Sequence, residues 1–257
     1  VVEEARSFPS LPRPKPAPAT KKRPGTPAPS GSAEAARRLF AMSQPISGTP
    51  VETYLRHRGI TALHGTGNLR FHPRCYYRPD DHGPTETWPA MIAAVTDLRG
   101  AITGAHRTWL APDGSDKAPI ETQRKAMGDL LGHAVRFGIA GEAMAAGEGI
   151  ESVLSARQAI PHMAMAAALS AAHLAAILFP ETLRRLYILR DNDPAGDGAR
   201  DNLVERANAA GIEAIVLSPV LEDFNEDLRR LGLDALLASL RVQLAPQDVA
   251  RFMAQAA

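Results

Sequence analysis

Two stretches of the chain decide its fold. They are AMAAGEGIESVLSA at residues 143–156 and RLYILRDNDPAGDGA at residues 185–199. Each stretch begins with an apolar run of strand length, reaches an acidic residue, and then passes at once into a helical pattern. A strand followed by a helix across a short connection is typical of a parallel sheet covered by helices.

The same alternation of strand and helix continues along the chain. Further segments of this kind lie at residues 162–168, 170–179, 195–210 and 212–217. Together they predict an α/β domain over residues 139–220, with a four-stranded parallel sheet, helices on both faces and right-handed crossovers. Residues 221–257 add helical segments that we expect to pack beside this sheet.

A smaller α+β unit is predicted upstream, over residues 32–138. Ser32 and Thr49 are N-cap residues for two helices, and Pro50 stands at the first position of the second helix. Strands are predicted at residues 68–73, 89–97, 101–110 and 134–138. The middle two form a hairpin around Leu98-Arg99-Gly100, because a glycine-containing turn joins two apolar runs.

The first part of the chain has a different composition. Residues 1–30 contain eight prolines and six Lys or Arg side chains against two Glu. Proline fixes φ and removes backbone donors, so we predict a disordered, basic linker over residues 1–31. Two interpretations stay open, a plain spacer and a tether that docks loosely on phosphates.

Composition excludes several classes of protein. The chain has 257 residues, of which 45% are hydrophobic and 22% are charged, and Cys75 is its single cysteine. One cysteine rules out an internal disulfide framework and a zinc ribbon built on several thiolates. No apolar run reaches the roughly 18–20 residues that span a bilayer, so we expect a cytoplasmic chain. The sequence also lacks a Walker A loop, a Gly-x-Ser-x-Gly elbow and a His-Glu-x-x-His motif.

Acidic residues follow two of the predicted parallel strands. Glu148 ends the first strand, and Asp191 and Asp193 end another. Ligands of open α/β sheets collect at this carboxyl edge, and residues i and i+2 of an extended segment point to the same side. Carboxylates are the ligands that Mg²⁺ prefers, so the pattern predicts a magnesium site. The alternative is that Asp193 caps the next helix, with Pro194 at its first position.

These two stretches resemble the Toprim domain of bacterial, phage and plasmid or other mobile-element DNA primases, which some topoisomerases and nucleases share. The resemblance implies that Glu148 is a general acid or base and that Asp191 and Asp193 bind Mg²⁺, with Mn²⁺ as the alternative ion. It also assigns Asp223 to a third acidic motif near the metal. The alternative for Asp223 is an N-cap at the start of a C-terminal helix.

The upstream unit resembles, less specifically, the domain that precedes Toprim in mobile-element primases. This resemblance implies a basic surface that faces the acidic residues. Its candidates for binding nucleotide and DNA are Arg107, Lys117 and Lys125. Arg70 is a candidate for facing the template. Arg and Lys suit phosphate groups, although each of these side chains is as readily explained as an ordinary solvated charge.

The sequence departs from the primase pattern at two places. Cellular primases carry an Asp four positions after the catalytic Glu, where this chain has Ser152; its nearest acid is Glu151, three positions on. Positions three and four apart lie over one helical face, so Glu151 is a candidate substitute. No zinc ribbon is present, since Cys75 and His72 offer only two soft ligands.

The resemblance implies a primase-type nucleotidyltransferase that synthesises short primers in the presence of Mg²⁺. Its partners would be single-stranded DNA template, nucleoside triphosphates and a replicative helicase, either separate or fused, with no membrane involved. Two alternatives keep the same fold. One is a metal-dependent nuclease that uses water as nucleophile, and the other is a non-catalytic module that binds DNA or a replication partner.

Overall fold

A computed structural model describes residues 32–79 and 84–253 of the chain. The linker predicted over residues 1–31 lies outside the described residues. The described part holds two sheets with helices packed against them, which confirms the predicted mixed α/β fold. No described helix combines the length and the apolar character that crossing a bilayer requires.

Two capped helices open the upstream unit, as predicted. Helix α1 spans Ala33–Met42, and the side chain of Ser32 accepts from the backbone N–H of Ala35 at its start. Helix α2 spans Pro50–His57, and Thr49 caps it in the same way. These caps satisfy backbone donors that the first turn of a helix leaves unpaired.

The upstream sheet is antiparallel, and its strands follow chain order. They are β1 (Leu69–Tyr77), β2 (Glu86–Thr96), β3 (Ile102–Trp109) and β4 (Arg124–Gly128). Strands β2 and β3 form the predicted hairpin, in which Asp97 Oδ1 accepts from two backbone N–H groups of the turn. Strand β4 was not predicted, and it forms the far edge of this sheet by pairing with β3.

The second sheet contains the four predicted parallel strands and one more. Its strands are β5 (Val135–Phe137), β6 (Ala143–Gly147), β7 (Met165–Ala167), β8 (Arg185–Leu189) and β9 (Glu213–Leu217). Their spatial order is β5-β7-β6-β8-β9, and only β5 runs antiparallel to its neighbour. Strand β5, which the sequence placed with the upstream unit, therefore completes the edge of this sheet.

Among residues 32–79 and 84–253, six helices accompany the second sheet. They are α3 (Ile150–Ala159), α4 (Ala171–Ala175), α5 (Pro194–Ala209), α6 (Phe224–Leu231), α7 (Leu233–Gln243) and α8 (Pro246–Phe252). Helix α4 is shorter than the helix predicted over residues 170–179. Arg206 donates to the carbonyl oxygens of Ala175 and Ile177, which a longer helix would use for its own hydrogen bonds.

The strand residues of the second sheet alternate between two cores. Ala145 and Tyr187 pack into a large cluster with α3 and the upstream helix α2. Ala146 and Ile188, one position further along, pack into a second cluster with α4 and α5. A third cluster lies under α1, where the indole of the fully buried Trp109 donates to the carbonyl oxygen of Cys75. The first cluster joins the upstream unit to the parallel sheet.

We expect Asp248→Ala to lower the free energy of unfolding by about 2–4 kcal/mol. Asp248 is 2% exposed and accepts hydrogen bonds of 2.7 Å from both Tyr187 and Arg185. Its loss leaves the buried Tyr187 hydroxyl without an acceptor and removes one of the two anions that pair with Arg185. Glu213→Ala is the matched control, because Glu213 pairs with the same Arg185 from an exposed position. It should cost less than about 1 kcal/mol in urea unfolding. Equal losses for the two variants would contradict the prediction.

Candidate active site

The register of the parallel strands brings the ends of β6 and β8 together. Gly147 and Leu189 are the last residues of these strands and pair directly. A Cβ atom on Gly147 would lie 3.0 Å from side-chain atoms of both Leu189 and Val153, so a glycine is needed where α3 packs on the strand end. Glu148 and Asp191 follow these two strand ends and consequently share one edge of the sheet.

Four carboxylates at this edge are close enough to repel one another. Burial raises the pKa of Asp191, and the charges of Glu148, Asp223 and Asp193 raise it further, to about 7. Burial also raises the pKa of Glu148, with a further contribution from Asp193, while a nearby cation, Arg124, opposes the shift. The structure therefore gathers the four acidic residues that the sequence singled out.

The residues present fit a divalent cation. Asp191 Oδ1 and Ser152 Oγ are buried atoms without a well-placed hydrogen-bond partner in the described part of the chain. Within residues 32–79 and 84–253, no three His, Cys, Asp or Glu side chains close around one point. Mg²⁺ is usually held by only one or two carboxylates together with water and substrate phosphates, so an open arrangement suits it.

Two of the four acids also stand at helix starts, as their alternative interpretations require. Asp223 caps α6, with Oδ1 accepting from the backbone N–H of Glu226 at 2.7 Å. The carbonyl oxygen of Asp193 accepts from the N–H of Asp197 in the first turn of α5. Capping and charge act together here, because Asp223 still raises the pKa of Asp191 while it caps its helix.

Glu151 has a different environment from the four acids. It is 7% exposed and accepts hydrogen bonds from the Tyr54 hydroxyl at 2.6 Å and from Arg124 Nη2 at 3.0 Å. Burial alone would raise its pKa, but the Arg124 charge and the Tyr54 hydrogen bond outweigh burial and lower the pKa to about 2. Glu151 therefore joins α3 to α2 and β4 and does not take the position of the missing Asp.

Comparison with known proteins identifies the domain that carries these acids. Residues 143–234 match the Toprim domain family. The chain contains a Toprim domain. Residues 30–137 match a domain of unknown function (DUF7146), and no curated protein is significantly similar to the chain.

Solved primase structures share the fold. The zinc-binding and RNA polymerase domains of the Aquifex aeolicus primase align with a TM-score of 0.58 at 15% identity, covering 82% of this chain and 61% of that one. A DNA primase domain from Pseudomonas aeruginosa gives 0.55 at 16% identity, covering 82% and 78%. The primase fragment of the bacteriophage T7 primase-helicase protein gives 0.51 at 13% identity, covering 72% of each. This chain thus spans less than two thirds of the Aquifex chain.

Arg124 lies near the four carboxylates of the Toprim domain, and the sequence pattern did not predict this. We call these carboxylates the Toprim acids; they are Glu148, Asp191, Asp193 and Asp223. Its guanidinium pairs with Glu151, its side chain is 43% exposed, and its charge lowers the pKa of Glu148. Lys117 lies in the same electrostatic environment, because burial and the Arg124 charge lower its pKa while Glu151 raises it. Only the pairing of β4 with β3 reveals this position for Arg124, and no sequence pattern marked β4 as a strand.

The other candidate cations lie on the opposite face of the upstream sheet. Arg70 pairs with Ile92, Ile92 pairs with Arg107, and Arg107 pairs with Lys125, so the three cations form one cross-strand row. Ile92 packs in the cluster under α1, away from the Toprim domain. Strand alternation therefore overturns the expectation that Arg107 and Lys125 face the acidic residues.

Local contacts hold each of these three side chains. Arg107 lies over the ring of Trp109 at 5.2 Å, and Lys125 Nζ donates to the carbonyl oxygen of Arg78 at 2.7 Å. Arg70 donates to the carbonyl oxygen of Ser43 at the end of α1. The structure brings Lys117 near Arg124 and Glu151, and it leaves Arg70, Arg107 and Lys125 on the other face of the sheet.

We expect Glu151→Gln to be destabilised by about 1–2 kcal/mol at neutral pH, because the buried carboxylate loses its ion pair with Arg124, whose side chain is 43% exposed and regains part of this through water. The pKa of Glu151 falls from 4.5 to about 2 on folding. Its charge therefore contributes stability that is complete above pH 4.5 and is lost as the pH falls toward 2. The difference between the variant and the natural chain should shrink over that interval in urea unfolding.

Glu34→Gln is the matched control for this measurement. Glu34 forms an exposed ion pair with Arg38 on α1, so its loss should change the free energy of unfolding by less than about 0.5 kcal/mol. A cost for Glu151→Gln that stayed constant from neutral pH down to the acid range would show that its charge does not stabilise the fold.

Proposed function

We propose that the chain is the catalytic core of a DNA-primase-type nucleotidyltransferase, which makes short oligonucleotide primers on single-stranded DNA. The observation that supports this most is the mutual repulsion of the carboxylates around Asp191, on a fold similar to that of primases. Such an arrangement destabilises the empty site and favours a cation with its bound phosphates.

Asp191 and Asp193 are the residues that would hold Mg²⁺, with Mn²⁺ as the alternative ion and Asp223 as a further acid near it. When bound, the ion supplies positive charge against the triphosphate and the leaving pyrophosphate. The orphan oxygen of Asp191 gives it a vacant acceptor for this role. The cap formed by Asp223 fixes the backbone that carries its side chain.

Glu148 is the proposed general base. Its pKa is raised, so it binds a proton more readily than an exposed glutamate does. The primer 3′-hydroxyl oxygen attacks the α-phosphorus of the incoming nucleotide, the bond to pyrophosphate breaks, and Glu148 accepts the hydroxyl proton. Arg124 opposes the rise in the pKa of Glu148 and thereby helps to keep it ionised before this transfer.

Lys117 and Arg124 are proposed to bind the triphosphate. Glu151 and Tyr54 fix one edge of the Arg124 guanidinium, while the side chain stays 43% exposed. A planar guanidinium has five N–H donors, so pairing with Glu151 leaves donors for phosphate oxygens. In this proposal residues 32–138 supply the cations and residues 139–220 supply Glu148, Asp191 and Asp193. Residues 221–257 supply Asp223 and the helices that support the sheet.

The partners follow from this reaction. They are single-stranded DNA template and nucleoside triphosphates. We propose that the chain acts in the cytoplasm, where these substrates are present. A replicative helicase is a further proposed partner, because the similar T7 fragment comes from a primase-helicase protein. Arg70, with its row of cations under α1, is proposed for template contact and not for nucleotide binding.

The natural chain should convert labelled nucleoside triphosphates into short oligonucleotides on single-stranded template when Mg²⁺ is present. Glu148→Gln should reduce this activity by at least about 100-fold through loss of the general base. Asp191→Asn should do the same through loss of an anionic ligand. Product formation is measured on denaturing gels, and thermal unfolding verifies that each variant is folded.

Asp234→Asn is the control, since Asp234 is an exposed acid in the first turn of α7. It should retain full activity. Degradation of the template in place of primer synthesis would favour the nuclease, and binding without turnover would favour the non-catalytic module. Full activity in Glu148→Gln or Asp191→Asn would remove the assigned role of that residue.

Arg124 and Lys125 form a matched pair, because neighbouring residues of one strand point to opposite faces. Arg124→Gln should raise the KM for nucleoside triphosphate by about tenfold or more, the loss of one charge-assisted hydrogen bond. Lys125→Gln should change this KM by less than about twofold. Steady-state kinetics at saturating template measure both values, and Arg124→Lys should recover part of the binding. Equal effects of the two Gln variants would contradict the face assignment.

A further inference from the structure

A cavity lies at the edge of the parallel sheet opposite Glu148, Asp191, Asp193 and Asp223. Its volume is about 450 Å³, within the range of ligand-binding pockets. Phe137 pairs with Met165, the first residue of β7, so the chain after β5 leaves at the amino-terminal edge of the parallel strands. The walls come from the turn between β2 and β3, the segment after β5, and Pro180.

Arg136 supplies a charge to this cavity, and this charge has no partner in the described part of the chain. Its Nε and Nη2 atoms are buried and make no hydrogen bond, and its guanidinium forms no ion pair with any described residue. Burial lowers the pKa of Arg136, as expected for a cation removed from water without an anion beside it. Buried donors of this kind are rare in folded proteins and require an explanation.

The nearest acid does not provide the missing anion. Asp97 acts on Arg136 only through its charge, while Asp97 Oδ1 accepts from the backbone N–H groups of Arg99 and Ala101 at 2.9 Å each. These two bonds close the hairpin turn. Asp97 therefore stabilises the turn and forms no ion pair with Arg136.

The other residues that line the cavity indicate which kind of anion fits beside Arg136. Ile139 is 97% exposed and Leu98 is 43% exposed, so apolar surface stands open beside the guanidinium. Exposed apolar side chains around a polar anchor are typical of interaction sites. The negative charge of Asp97 disfavours a densely charged phosphate chain, whereas a single carboxylate matches the guanidinium fork.

We propose that this cavity binds a carboxylate flanked by an apolar side chain, as presented by an acidic peptide segment of a partner protein. Arg136 takes the carboxylate, and Leu98, Ile139 and Pro180 contact the apolar group. The site is independent of the proposed catalysis, since it uses none of the four acids of the proposed active site and lies at the other edge of the parallel sheet.

N-acetyl-leucine is a minimal probe, because it carries one carboxylate and one apolar side chain. It is titrated into the isotope-labelled full chain without Mg²⁺, and the amide resonances of Gly100 and Ile139 and the Nε–Hε resonance of Arg136 are followed by NMR. We expect saturable shifts at all three groups. N-acetyl-leucinamide has the same side chain without the carboxylate, and it should cause none.

Arg136→Gln should abolish the shifts at Gly100 and Ile139 while the rest of the spectrum shows a folded chain. Arg74→Gln, an exposed arginine of β1 outside the cavity, should leave the titration unchanged. Stronger shifts with inorganic phosphate than with N-acetyl-leucine would overturn the choice of a carboxylate. Equal responses to the acid and the amide, or a response that survives Arg136→Gln, would overturn the site itself.

Discussion

Repulsion among like charges at the carboxyl edge of the parallel sheet is the constraint on which the active-site arrangement depends. Gly147 pairs with Leu189, so the acids that follow these two residues cannot separate without breaking the register of the sheet. Burial prevents water from screening the repulsion fully, and the pKa of Asp191 rises to about 7 as a result. A fold that holds carboxylates in this way stores free energy that a bound cation releases.

The ion pair between the buried Glu151 and the partly exposed Arg124 has the opposite electrostatic effect. Here an anion and a cation satisfy each other, and Tyr54 adds a short hydrogen bond to the same carboxylate. The pair links a helix of the Toprim domain to a helix and a strand of the upstream unit. Arg124 is a partly exposed side chain on the edge strand β4, and its pairing with Glu151 fixes the position of its guanidinium relative to Glu148.

Local patterns were sufficient to predict the parallel sheet, the caps of α1 and α2, and the hairpin of β2 and β3. Each depends on residues close in sequence, such as apolar runs, N-cap side chains and a glycine in a turn. Strand β4 could not be found in this way, because RKAMG has little apolar character and pairs only through contacts made elsewhere in the chain. Helix α4 ends early for a similar reason, since Arg206 acts on it from another helix.

The same dependence on distant contacts explains which candidate site residues lie where the sequence predicted them. Glu148, Asp191 and Asp193 follow strands whose parallel order was predictable, so their common edge was predictable as well. The face of the sheet on which Arg107 and Lys125 lie depends on the register of their strands, because a shift of one residue moves every side chain to the other face. Lys125 was chosen as the candidate in place of its neighbour Arg124. Because neighbouring residues of a strand point to opposite faces, this choice selects the wrong face of the sheet. Only the observed pairing of Thr108 with Arg124 corrects it.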